Sequence, residues 1–205
     1  MPEAAPKRVV VFGTESTGKT TLTQKLAKHF SEPWSEEFVR EFWEIQHGKI
    51  TAPDLGTIAL GQMANEDRAM AAAKRVVFYD TDLLTCTLWD DVLFPGSCPP
   101  WVREEAAQRA KGVALWLLCD TDVPFEPDPQ RSFPDAASRN RGRQRWREAL
   151  EKRGLPFVEI RGDWVTREAT AIAAVEKLRG SDFTPDMSEI NPDPRDIGDK
   201  PRPTI

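Results

Sequence analysis

The chain of 205 residues has little cysteine, little histidine, no long apolar run and no excess of basic charge. Each shortage removes a class of protein. Cys86, Cys98 and Cys119 are odd in number and widely spaced, and neither histidine, His29 or His47, stands near them. That excludes a disulfide framework and leaves no zinc-ligand spacing, so buried free thiols are expected. No stretch approaches the roughly 18 consecutive apolar residues of a membrane span. Met1-Pro2-Glu3 runs into the first motif before a signal-like apolar core could form. A cytoplasmic protein without a membrane partner is expected. Against 33 acidic side chains stand 28 basic ones, a formal net charge of −5, which argues against general nucleic-acid affinity and fits a small phosphorylated or cationic ligand. No internal repeat is present. The length suits one α/β domain with a buried sheet and is short for two.

What is present begins with Gly13-Thr14-Glu15-Ser16-Thr17-Gly18-Lys19-Thr20, directly after Val9-Val10-Val11-Phe12. This is the full G-x-x-x-x-G-K-[ST] spacing of a Walker A phosphate loop, in the required strand-then-helix context. Two glycines let the backbone fold back so that successive N–H groups share one concavity, and the following helix adds the positive end of its dipole. Gly13, Glu15, Ser16, Thr17, Gly18, Lys19, Thr20 and Thr21 are therefore expected to cradle a nucleotide. Lys19 is expected to reach the outer phosphate oxygens and the Thr20 hydroxyl to hold Mg²⁺.

Further along, apolar spacing predicts a helix from the loop to about Phe30, then a short strand from Trp34 to Phe38 leading into Val39 to Glu44. A long amphipathic helix is predicted over Pro53 to Lys74, and Val76 to Asp80 reads as a strand ending in a carboxylate. Helices follow over Leu83 to Phe94 and Trp101 to Ala110, then strands at Val113 to Leu118 and Leu155 to Ile160, and a last helix over Thr166 to Leu178. The pattern is α/β: a five-stranded parallel sheet flanked by helices. Ligand groups in such sheets sit at strand ends facing the phosphate loop, which marks Arg40, Glu41, Asp80 and Asp82 as candidates for substrate contact. Asp80 is the candidate metal carboxylate with Thr20. Asp82 could equally cap the helix after it. Between Asp120 and Ser138 proline, aspartate and serine replace apolar periodicity, and Arg131, Arg139, Arg141, Arg143, Arg145 and Arg147 follow. This reads as a lid over about 121–147. One to three of its arginines, Arg131 first, are expected to meet the transferring phosphoryl group, while the rest form a basic helix face. Trp164 or Arg161 could lie against a nucleotide base, although a tryptophan after a strand is more often packed. Residues 181–205, rich in proline and aspartate, read as a tail beyond a domain at 1–180.

With these pieces in order, the chain resembles the ribosylnicotinamide kinase domain of the bifunctional bacterial NAD-biosynthesis regulators, a branch of the P-loop kinases. The resemblance runs over about residues 8 to 179. It rests on Gly13 to Thr20, Arg40-Glu41-Phe42, Ala59-Leu60-Gly61-Gln62, Asp80-Thr81-Asp82, the Asp128 to Arg131 segment and Pro156-Phe157-Val158-Glu159-Ile160. The family's Asp-Gly-x-Arg stands here as Asp128-Pro129-Gln130-Arg131. The resemblance implies transfer of phosphate from ATP, with Mg²⁺, to the ribose 5′-hydroxyl of nicotinamide riboside. With so few residues before Lys7, it implies the kinase alone. Lys19 and lid arginines would stabilise the γ-phosphoryl group, and Asp82 or Glu41 would orient the hydroxyl, with Asp82 preferred. A kinase for another nucleoside, nucleotide or polynucleotide 5′-end is the nearest rival, and a nucleotide-binding regulatory switch is the rival of another class. A homo-oligomer is compatible with either.

Overall fold

Short apolar stretches bounded by turn residues form strands, and longer stretches with three- and four-residue apolar spacing form helices. The computed structural model of the protein describes residues 5–124, 132–133 and 135–180. Among them are five strands: β1 (Lys7–Phe12), β2 (Trp34–Ser35), β3 (Val76–Asp80), β4 (Val113–Cys119) and β5 (Phe157–Ile160). They alternate with α1 (Lys19–Phe30), α2 (Phe38–Ile45), α3 (Leu55–Ala72), α4 (Leu83–Leu93), α5 (Pro100–Ala110), α6 (Ala136–Glu151) and α7 (Trp164–Gly180). The strands make one sheet in the order β2-β3-β1-β4-β5, and every pairing is parallel. Parallel neighbours need long crossovers, which the helices provide while covering both faces.

Side chains alternate across the sheet. Val9, Val11, Phe78, Leu117 and Ile160 pack with Leu22 and Leu26 of α1 and with Ala171 and Val175 of α7. Val10, Phe12, Tyr79, Trp116 and Phe157 pack with Leu84 of α4 and with Trp146 and Leu150 of α6. Trp116 meets Phe12 edge-on at 4.8 Å between ring centroids, and burying each such side chain stabilises the fold by about 2 kcal/mol. A satellite cluster of Leu55, Ala59, Leu83, Val102 and Ala106 joins α3, α4 and α5. From β1 the chain first builds one side of the sheet and then crosses to β4 on the other. The carboxyl end of β1 is thus the switch point at which open α/β sheets take ligands.

Two boundaries differ from the sequence reading. The second strand stops at Ser35, and Phe38 already opens α2. The reason is tertiary: the Phe38 N–H donates to Gln62 Oε1 of α3 at 3.0 Å, which satisfies a helix-start amide from outside the segment. Arg40 and Glu41 accordingly lie on the first turns of a helix. Of the stretch assigned to a lid, residues 125–131 and Pro134 lie outside the described residues, Arg131 and Asp128 among them. Residues 136–147 belong to α6, where Asp135 and Ser138 form a capping box and Trp146 is fully buried. The tail 181–205 also lies outside the described residues. Among those that are described, no helix is long and apolar enough to cross a membrane. Cys98 and Cys119 are buried free thiols and Cys86 is a half-buried one.

Candidate active site at the phosphate loop

The loop between β1 and α1 needs both its glycines. Gly13 has φ 145°, and a Cβ there would come within 3.0 Å of the Cys119 carbonyl. Gly18 has φ 76°, and a Cβ would stand 2.3 Å from the Trp164 ring. Ser16, at φ 56°, also takes the left-handed conformation, a strain that functional loops commonly store. The loop's carbonyls turn outward to side-chain donors. Thr14 O accepts from Thr17 Oγ1 at 2.8 Å and from Lys19 Nζ at 2.9 Å, Ser16 O from Arg139 at 2.8 Å, and Thr17 O from Arg167 at 2.6 Å. Arg139 and Arg167 are both buried. With its carbonyls held from behind, such a loop can offer its N–H groups to an anion.

Opposite the loop, Thr20 Oγ1 donates to Asp80 Oδ2 at 2.5 Å. Asp80 Oδ1 is buried without a hydrogen-bond partner. A hydroxyl and a carboxylate side by side, with one buried oxygen left over, fit a hard divalent cation that prefers oxygen ligands. Burial first, and then the charge of Glu37, push the Asp80 carboxyl up to about 6, against the pull of Lys19, Thr20 and Arg40.

A cavity of about 300 Å³ opens beside these groups. Glu15, Lys19, Glu37, Arg40, Thr81 and Ser132 form its polar wall, while Trp43, Ile50, Leu55, Ile58, Trp89 and Phe94 contribute apolar surface. Glu37 is half-buried, and its Oε2 accepts from Arg40 Nε at 3.2 Å. Of the residues singled out by sequence, Lys19, Asp80, Thr20 and Arg40 come together here. Glu41 is exposed on α2 and does not line the cavity, and Thr21 is exposed on α1. The one signal that could have pointed to Glu37 is its place just after the second strand.

Asp82 turns elsewhere. Its Oδ1 accepts from the Thr85 N–H and hydroxyl, both at 3.4 Å, capping α4. It lines a small polar cavity with Glu66, Tyr79, Arg8 and Arg109. Burial and the neighbouring Glu66 raise its carboxyl well above the usual carboxylate range. Glu66 is pushed up to about 7, chiefly by burial, although Arg109 stands 3.3 Å away. The arginines of α6 are mostly engaged. Arg143 pairs with Asp120 at 2.9 Å and with Glu159 at 3.2 Å, Arg147 pairs with Glu159 and Glu151, and Arg141 and Arg145 are exposed. Arg161 closes the same network through Asp120 and Glu159. Trp164 lies against Gly18 with Arg167 over its ring at 5.7 Å.

A central parallel sheet with a phosphate loop after β1 and a carboxylate at the end of β3 is the architecture of a phosphate-loop nucleotide-binding protein. A family model described as "AAA domain" matches residues 8–167, and the chain belongs to that family. Among curated proteins it is 27% identical over 179 residues to the trifunctional NAD biosynthesis/regulator protein NadR of Salmonella typhimurium, covering 85% of this chain and 43% of that one. The chain thus spans less than half the length of this relative. Among solved structures, a NadR protein in complex with NR superposes with a TM-score of 0.65 at 24% identity, covering 86% of this chain and 52% of that one. A deoxyadenosine kinase from M. mycoides superposes at 0.58 with 12% identity, covering 83% of this chain and 99% of that one.

Proposed function

We propose that this chain is an ATP-dependent kinase that phosphorylates the ribose 5′-hydroxyl of a nucleoside, with nicotinamide riboside as the acceptor. The observation that carries the proposal is the cavity opening directly off the phosphate loop, with the Glu37 carboxylate beside Lys19 and Asp80. In this reading the loop's N–H groups hold the phosphates, and Lys19 leaves Thr14 O to reach the outer phosphate oxygens. Thr20 and Asp80 would hold Mg²⁺, which when bound offsets the charge of the phosphates. Glu37, rather than Asp82 or Glu41, orients the hydroxyl and accepts its proton as the new O–P bond forms and ADP departs. Arg40 keeps that carboxylate in place.

Trp43 and Trp89 in the cavity, with Glu15 and Glu37 also in its lining, suit a flat cationic ring such as a pyridinium. The NAD biosynthesis named for the Salmonella relative and the NR complex of the NadR structure support the same acceptor. Residues 1–180 act as the kinase unit in this proposal, and 181–205 as a tail outside it. The test is ADP release from MgATP with and without nicotinamide riboside, beside a panel of deoxynucleosides. Release stimulated by nicotinamide riboside is expected. Stimulation by a deoxynucleoside alone would move the acceptor, and tight nucleotide binding with no stimulation by any nucleoside would favour a regulatory switch.

A further inference from the structure

Phosphoryl transfer does not require an acid at the second variable position of a phosphate loop. Glu15 nonetheless holds a carboxylate there, only 7% exposed, and each of its oxygens takes a backbone amide from a distant part of the chain. Oε2 accepts from the Ser132 N–H at 2.9 Å, and Oε1 accepts from the Phe133 N–H. Bonds of this kind, from neutral donors to an ionised acceptor, are roughly twice as strong as neutral ones.

The contact continues into the cavity wall. The Phe133 ring lies on Trp89 at 5.2 Å between centroids, and Trp89 meets the buried Trp146 edge-on at 5.0 Å. Gly142 of α6 makes room for the arrangement, since a Cβ there would come within 2.6 Å of the Phe133 ring and 2.8 Å of Thr14 Oγ1. Glu15, Ser132 and Trp89 all line the cavity assigned to the acceptor.

We propose that Glu15 is a positioning residue for the acceptor. By gripping the amides of Ser132 and Phe133, it fixes Phe133 behind Trp89, and with it the Trp89 wall of the cavity, relative to the phosphate loop. It thereby sets where the acceptor's ring lies with respect to the transferring phosphoryl group. This role rests on the kinase reading and adds a specificity element to it. A glutamine could serve only one of the two amides and would press its NH₂ against the other. An aspartate would fall a methylene short.

The test compares the full chain with Glu15→Gln, Phe133→Leu and the double variant. Three quantities are measured: KM for nicotinamide riboside at saturating MgATP, affinity for a non-hydrolysable ATP analogue without acceptor, and amide exchange at Ser132 and Phe133. Glu15→Gln is expected to raise the acceptor KM by on the order of tenfold, a change of about 1.4 kcal/mol, and to speed exchange at both amides. Analogue affinity, which draws mainly on loop N–H groups and Lys19, is expected to fall by much less than the acceptor KM rises. Phe133→Leu should raise the same KM, and the double variant should add little to either single change, since both act through one wall. An unmoved acceptor KM, a matching loss of analogue affinity, or additive effects in the double variant would overturn the role of Glu15 alone. A parent chain that turns over no nucleoside would overturn the kinase reading and this role with it.

Discussion

Asp80 and Asp82 stand two residues apart, are almost equally buried, and end in opposite surroundings. Between them Thr81 has φ 63°, a left-handed conformation that a β-branched residue rarely takes. Asp80 faces the phosphate loop, bonded to Thr20 and close to Lys19 and Glu37, with one buried oxygen lacking a partner. Asp82 is absorbed by the start of α4 and by Glu66 on α3. Burial and a raised carboxyl are common to both, so neither marks the chemical group. What separates them is the unused bonding capacity of Asp80 beside the phosphate loop, against the closed local duty of Asp82.

The largest expected effect sets these two apart directly. Asp80→Asn should lower kcat by about a hundredfold, the loss typical of removing one electrostatic contributor to the transition state. Asp82→Asn, which keeps a capping oxygen, should stay within about threefold. Steady-state kinetics with nicotinamide riboside decides, and an equal loss in the two variants would erase the contrast. Glu37→Gln against Glu41→Gln comes next: about a hundredfold loss of kcat is expected for the first, as for a general base, and little change for the second.

The smallest effect concerns stability and sharpens the closed side. Burial pushes the Glu66 carboxyl up to about 7 in the fold, against an ordinary value of 4.5 in the open chain. The folded state therefore binds more protons between those values. Its contribution is complete below about pH 4.5 and is lost as pH rises through 7. Thermal melts of the parent should drop by roughly 5 °C from pH 5.5 to 8, and Glu66→Gln should flatten that slope. A variant that melts with the parent's pH dependence would show that the strain of ionisation lies elsewhere.

Particular residues show what could be read without coordinates. The Gly13 to Thr20 motif was legible because its spacing is contiguous in the chain, although Gly13, Gly18 and Thr20 meet Cys119, Trp164 and Asp80 from distant elements, and the Val76 to Asp80 strand because its period and ending are local. Glu37 was hidden inside a stretch that looked like strand through Phe38, and only Gln62, reaching from α3, ends that strand early. Glu66 read as the polar face of an amphipathic helix, yet its carboxylate is buried against the Leu83 N–H at 2.9 Å. Arg167 carried no mark at all in the sequence. It supports the phosphate loop from α7, pairing with Asp122 at 2.5 Å on the way.

Sequence alone determined the order of strands and helices, the positive φ that the loop glycines must permit, and the phosphate-loop motif, because each depends on neighbours along the backbone. Tertiary structure decided which acid faces that site, which arginines merely hold its backbone, and that Glu15 reaches Ser132 and Phe133 across more than half the chain. Those outcomes depend on desolvation and on partners from other elements, and a carboxylate's neighbours in space are fixed only once the sheet has brought its strand ends together.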